Sequence, residues 1–192
     1  MAKHKGLTFY QKKKIIGPKT LHEIFSWLIS ILIVMFLGIV TVYFFGMSSH
    51  VVGTSMEPEL MSEQEILIDR FRYVLGSPRY GDVVLFMPNG NPYTHYYTKR
   101  VVGRPGDTIL ISDGNLYVNG VLSDVVTEKI LDPGIAATEQ VLGTGEYFVM
   151  GDKPSSSEDS RSANIGFVRE KDIVGKVWLA LPGDRFSLSY VR

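Results

Sequence analysis

The sequence predicts a mainly β protein behind a single apolar helix. Three observations carry that expectation. Phe25 to Phe45 is a continuous apolar run, and no Asp, Glu, Lys or Arg occurs between Glu23 and Glu57. After it the pattern changes to short runs rich in Val, Ile and aromatic residues, the composition of strands. Asp113-Gly114 and Asn119-Gly120 then stand between such runs, where two tight hairpin turns would fall.

The run comes first in the chain. Twenty-one helical residues extend about 31 Å at 1.5 Å each, close to the roughly 30 Å hydrocarbon core of a bilayer. A soluble helix of this length needs a polar face, and this one offers only Ser26, Ser30 and Thr41. A cleaved secretory signal is the sharper alternative, because it too begins with lysines followed by an apolar stretch. The run exceeds the usual ~7–15 residues of a signal core, and no alanine lies between Ala2 and Ala136 to build an A-x-A cleavage site. We therefore expect an uncleaved anchor over 24–46, a basic tail over 1–23 and one β-rich domain over 47–192.

Charge orients this arrangement. Residues 1–50 hold six lysines (Lys3, Lys5, Lys12, Lys13, Lys14, Lys19) against Glu23, a net +5, and the remaining fourteen basic and nineteen acidic residues give −5. The positive-inside rule then keeps the tail in the cytoplasm and sends the domain across the cell membrane. Lys12–Lys14 could bind lipid, although orientation alone accounts for them. A net-acidic domain is a poor nucleic-acid surface. The chain has no cysteine, which excludes disulfides, thiolate catalysis and sulfur-ligated metals. His4, His22, His50 and His95 are scattered, so neither a metal nor another cofactor is expected.

Within the domain, strands are expected at 65–69, 82–86, 96–102, 108–111, 116–118, 147–150 and 173–181. Ser62-Glu-Gln-Glu65 resembles a helix capping box, but Ile66 and Ile68 favour a strand. The Gly-Asp pairs at 81, 106, 151 and 183 have irregular spacing and read as separate turns. Residues 123–146 lack sustained alternation and are expected to form a mobile excursion, not a domain of their own.

Two residues could carry chemistry. Ser55 lies in Gly53-Thr-Ser-Met-Glu-Pro-Glu-Leu60, just after the apolar run. Such a serine is commonly a turn residue bonding its own backbone. Lys99 should share a strand face with Tyr97 and Val101, with Thr98, Arg100 and Val102 opposite. An ordinary lysine is neutral less than about one part in a thousand at pH 7, so a lysine base requires burial to lower its pKa by roughly 3 units. The competing reading of Lys99 is an edge-strand lysine reaching for water. A Ser-His-Asp arrangement through His50 or His95 stays open, since triads are spatial. Gly151-Asp-Lys-Pro-Ser-Ser-Ser-Glu-Asp-Ser-Arg161 reads by composition as a loop with local charge pairs.

Together the segments resemble the bacterial type I signal peptidases, peptidase family S26, with a short tail and single span like the Gram-positive branch. The boxes occur in order over most of 25–182: the anchor, 53–60, Tyr80-Gly-Asp-Val-Val-Leu-Phe86, Lys99-Arg-Val-Val-Gly-Arg-Pro-Gly-Asp107, Gly151-Asp152 with Asp159-Ser-Arg161, and Gly175-Lys-Val-Trp178. The resemblance implies a Ser-Lys dyad on a signal-peptidase-type antiparallel β domain, with Ser55 as nucleophile and Lys99 as general base. It further implies that Ser157 bonds the lysine, that Arg100, Asp152, Asp159 and Arg161 form an ionic scaffold, and that Met56 is a supporting residue. The implied activity is serine endopeptidase removal of signal peptides from exported preproteins at the bilayer.

The chain departs from the family pattern at three places. Glu59 replaces the usual Thr, Lys153 and Pro154 replace the frequent Asn and Arg, and Gly53 stands where some members carry a serine that assists the oxyanion hole. A narrower substrate set is the expected consequence. The alternative is a signal-peptidase-like accessory protein that binds a dedicated client, for instance in pilus assembly. A self-cleaving repressor-type Ser-Lys protease fits poorly with the apolar span.

Overall fold

The structure is a computed structural model that describes residues 17–91, 93–156, 158–183 and 187–191. The lysines at 3 to 14 and Ser157 fall outside the described residues. The chain divides into two units at about residue 40.

Helix α1 (Pro18–Phe45) has 28 residues and none of them is buried. Proline at its first position suits helix entry, because the missing N–H would be unpaired there anyway. Ser30 Oγ donates to the Ser26 carbonyl at 2.9 Å, so this hydroxyl is satisfied inside its own helix. A mean hydropathy of 2.7 in its apolar window and a length of about 42 Å make it capable of crossing a bilayer.

The β unit contains β1 (Met47–His50), β2 (Glu65–Asp69), α2 (Arg72–Leu75), β3 (Val83–Phe86), β4 (Tyr97–Gly103), β5 (Thr108–Ser112), β6 (Asn115–Val118), β7 (Val121–Leu122), β8 (Gln140–Val141), β9 (Glu146–Met150), β10 (Val168–Arg169), β11 (Ile173–Ala180) and β12 (Ser189–Tyr190). Among the described residues these strands form two sheets. The larger runs β1-β2-β11-β3-β4-β9-β10, with β12 also on β11; the smaller runs β7-β6-β5-β8. All pairings between them are antiparallel.

The period of two explains how the larger sheet buries both faces. On β3, Val83 and Leu85 join one core while Val84 and Phe86 join another on the opposite face. On β9, Tyr147 and Val149 likewise oppose Phe148 and Met150. The third core lies where the smaller sheet contributes Ile109, Ile111 and Leu116. Residues 123–146 supply Ile130, Ala136 and Leu142 to that core and the strand β8 to the smaller sheet.

Both expected hairpin turns have the backbone that their residues favour. Asp113 and Gly114 have φ of 53° and 78°, and Asn119 and Gly120 have 53° and 76°, the left-handed pairs of a type I′ turn. Gly103 is required for space instead. A Cβ there would lie 2.6 Å from Ile109 Cδ1 and 2.8 Å from Leu142 Cδ1. The capping-box reading of Ser62–Glu65 is resolved as a turn, with Glu63 at φ 65° and the Gln64 side chain accepting from Met61 N at 3.1 Å. Ile66 and Ile68 are fully buried and the strand begins at Glu65.

Candidate active site

The segment carrying Ser55 is held at both ends by the core. Val51, Met56 and Leu60 belong to one buried cluster. Between them Glu57 N donates to Thr54 O at 3.2 Å and Leu60 N to Met56 O at 2.8 Å. Gly53 has φ +83°, a conformation that an L side chain adopts only with strain. Lys153 N donates to Ser55 O at 3.0 Å, which fixes the backbone of the serine to the 151–161 loop.

Lys99 reaches the same place from β4, where it is paired with Val84 of β3. Strand β9 pairs β4 only from Arg100 to Gly103, so Tyr97–Lys99 continue beyond its end. Lys99 Nζ lies 2.5 Å from Ser55 Oγ, and each residue is only 5% exposed. The Tyr97 ring is 5.9 Å from Nζ, on the face that alternation assigns to Lys99. Lys99 is therefore not an edge lysine turned toward water.

This setting changes the base. Burial, the largest influence, lowers the Lys99 pKa from 10.5 to about 8; the carboxylates of Asp159, Glu158 and Asp152 oppose that change, and Arg161 adds to it. Ser55 and Lys99 open onto a groove of about 160 Å³, lined also by Val52, Gly53, Tyr96, Tyr97, Thr98 and Glu158.

Two ion pairs contribute charges that act on Lys99. Arg161 holds Asp159 through Nε at 2.9 Å and Nη2 at 3.0 Å, and its remaining donors reach Asp132 O and Pro154 O. Asp159 is fully buried and also accepts from Gly151 N at 3.2 Å. Arg100 makes a fork to Asp152, with Nε and Nη2 at 2.7 and 2.6 Å, while Nη1 donates to Gly81 O. Planar two-point pairing of this kind fixes orientation as well as charge.

His50 and His95 are both exposed. Sequence reasoning passed over the pair between Lys153 Nζ and Glu57 Oε2 at 3.3 Å. It also passed over Asp82, which accepts from Lys176 Nζ at 2.6 Å, Tyr73 OH at 3.0 Å and Arg79 N at 3.0 Å. Burial favours the neutral acid at Asp82, but the Lys176 and Arg79 hydrogen bonds outweigh it and lower its pKa. Burial, aided by the same carboxylate, raises the pKa of Tyr73. The available signal was weak: Gly81-Asp82 looked like a turn, and Lys176 lies 94 positions away.

An apolar helix, a curled antiparallel sheet and a buried contact between a serine and a lysine define the class, a β-sheet protein with a helix fit to cross a membrane. Residues 24–182 match the family described as signal peptidase, peptidase S26. The chain is 34% identical over 165 residues to signal peptidase I P of Bacillus subtilis subsp. natto, covering 80% of this chain and 86% of that protein. It is 31% identical over 172 residues to signal peptidase IB of Staphylococcus aureus, covering 81% and 87%. A signal peptidase I crystal structure from Enterococcus faecalis aligns with 29% identity and a TM-score of 0.43, over 53% of this chain and 97% of that one. The chain belongs to the signal peptidase family, peptidase S26.

Proposed function

We propose that the protein is a membrane-bound serine endopeptidase that removes signal peptides from exported preproteins, with Ser55 as nucleophile and Lys99 as its base. The observation that carries this reading is the 2.5 Å contact between Ser55 Oγ and a buried Lys99 Nζ whose pKa is lowered to about 8. The neutral amine takes the Ser55 proton as Oγ attacks the scissile carbonyl. The resulting ammonium gives that proton to the leaving amine as the C–N bond breaks, leaving an acyl ester on Ser55. Lys99 then takes a proton from water as the water oxygen attacks the ester, and it returns that proton to Ser55 Oγ as the acyl C–O bond breaks, which releases the signal peptide carboxylate and restores the hydroxyl and the neutral amine.

Gly53 brings no hydroxyl, so backbone N–H groups, that of Ser55 among them, hold the oxyanion in this scheme. Arg100, Asp152, Asp159 and Arg161 act as positioning residues, Met56 anchors the nucleophile's segment, and Ser157 is assigned the remaining hydrogen bond to Lys99. The substrate backbone lies in the groove beside Tyr97–Lys99 and adds to β4 as an extended strand. Residues 1–23 are the cytoplasmic tail, 24–46 the retained anchor and 47–192 the extracytoplasmic domain.

The test is cleavage of a model preprotein by the full chain in detergent. Wild type is expected to release a defined mature protein, and Ser55→Ala is expected to release none while keeping its thermal melt. Cleavage by Ser55→Ala would overturn the assignment. In intact cells, external protease should remove the domain and spare the tail; a protected domain would refute the orientation.

A further inference from the structure

The groove at Ser55 is continuous in its lining with a second and larger cavity of about 480 Å³. Both are walled by Tyr97 and Glu158, and the larger one continues past Tyr93, Thr94 and His95. We propose that this second cavity is a subsite for a lysine or arginine side chain of the substrate, near the scissile bond, and that Glu158 is the residue that selects it. This rests on the peptidase reading of the Ser55 groove.

Charge is the first reason. Among the described residues that line the larger cavity Glu158 is the one carboxylate or cation, and the other polar groups there are neutral amides, hydroxyls and the imidazole of His95. A basic side chain gains a charge partner there and an acidic one is repelled. Orientation is the second. Tyr97 OH donates to Glu158 Oε2 at 3.1 Å, so the carboxylate is held by the same strand residue that forms the wall beside Lys99. Tyr97 and Tyr93 add aromatic faces against which a guanidinium or ammonium can lie.

Described residues at the rim carry hydrogen bonds of their own. Asn91 N donates to Pro88 O at 3.1 Å and Tyr93 N to Asn91 Oδ1 at 3.0 Å. Asn89 Nδ2 donates to Asn164 O at 2.8 Å, across the cavity's rim.

The shared lining also sets the location. A substrate in contact with Ser55 has Glu158 within the same groove, so the side chain that turns into the larger cavity belongs to a residue close to the cut. An extended chain advances about 3.3 Å per residue, which limits the position to a few residues on one side of the scissile bond.

The test uses the full-length protein in detergent at pH 8.5. The probes are fluorogenic peptides with alanine at the cleavage site and Lys, Gln or Glu placed singly at each of three positions on either side. The expected result is one position at which Lys exceeds Gln in kcat/KM by about fivefold, the size of a partly exposed charge pair with an aromatic contribution. Glu158→Gln should bring that ratio to about one, and Glu158→Lys should make Glu the preferred residue. Because each readout is a ratio between two peptides on the same variant, any general effect of Glu158 on Lys99 cancels. Tyr97→Phe, which keeps the ring and removes the hydroxyl, should reduce the ratio without abolishing it.

Binding of the same peptides to Ser55→Ala, followed by fluorescence anisotropy, separates the two readings. Cleavage with no preference at any position, or a preference unchanged in Glu158→Gln, would overturn the subsite and leave the peptidase standing. Preferential binding of the Lys peptide to Ser55→Ala, lost in the double variant with Glu158→Gln, would support the subsite even if wild type cleaved none of the peptides.

Discussion

Burial of Lys99 has a consequence for stability that is independent of any substrate. Its folded pKa of about 8 lies below the 10.5 of the free side chain, so the folded protein disfavours the ammonium. Below pH 8 both states are protonated and the whole penalty applies. Between pH 8 and 10.5 the unfolded chain binds the extra proton, and stability rises with pH; above 10.5 both are neutral and the penalty is gone. A difference of this size corresponds to about 3 kcal/mol. Lys99→Met removes the amine, keeps much of the volume and gives up one hydrogen bond to Ser55 worth about 1 kcal/mol. The net gain at pH 7 is then about 2 kcal/mol, a rise of roughly 4–8 °C in Tm for a domain of this size, in a variant with no peptidase activity. Thermal melts of wild type and Lys99→Met in detergent at pH 7 and pH 11 read the difference directly, and the gain should vanish at the higher pH. The activity of wild type should rise through an acid limb near pH 8, and Lys99→Arg should be inactive, since a guanidinium stays protonated. A variant no more stable than wild type at pH 7, an acid limb near 10.5, or an active Lys99→Arg enzyme would each refute the reasoning.

Two further outcomes follow from the groups around the site. Asp159→Asn leaves Arg161 buried without its charge partner and should cost about 3–5 kcal/mol in a urea titration; in whatever folded protein remains, the acid limb should move to lower pH, because Asp159 is the largest influence raising the Lys99 pKa. Gly103→Leu should destabilise by about 1–3 kcal/mol or more through overpacking against Ile109 and Leu142, read from the same titration, and a neutral result would show that the smaller sheet can retreat.

Seven strands and both type I′ hairpins were legible because the local pattern and the tertiary environment agree there. Strand β3, Val-Val-Leu-Phe, is buried on both faces and needs no alternation to be seen. The strands that escaped notice are those whose pairing is supplied by their partners. Met47-Ser-Ser-His50 has little strand propensity, and becomes β1 because Glu65–Ile68 offers it a complete antiparallel register. Residues 123–146 show no period because Ile130, Ala136 and Leu142 enter the core singly, Ala136 from a short 3-10 helix (Gly134–Ala137) and the other two from irregular backbone. The site divides in the same way. Alternation placed Lys99 with Tyr97, but burial of the amine depends on the 51–60 segment lying over it, 44 positions away. No local window contains that information. The ionic residues were named through resemblance alone, since a Gly-Asp pair and a Ser-Arg pair mean nothing until Arg100 and Asp152 are paired across 52 positions.

The departures from the family pattern gain physical meaning once their contacts are known. Lys153 bonds Glu57 across the Ser55 segment, while its own N–H holds the Ser55 carbonyl. Its side chain is about one-third exposed, so the ion pair contributes at most about 1 kcal/mol, and the backbone bond survives most substitutions at 153. Pro154 surrenders an N–H but keeps the carbonyl that Arg161 Nη2 binds at 2.7 Å. Glu59 places a negative charge near Arg100, where it helps to keep the guanidinium charged. Gly53 is the exception, because its φ of +83° leaves open space where a Cβ would go but strains any residue that has one. A hydroxyl cannot be restored there without that strain. Gly53→Ser should therefore fail to raise activity, since the backbone that admits the nucleophile's turn is the same backbone that strains the side chain.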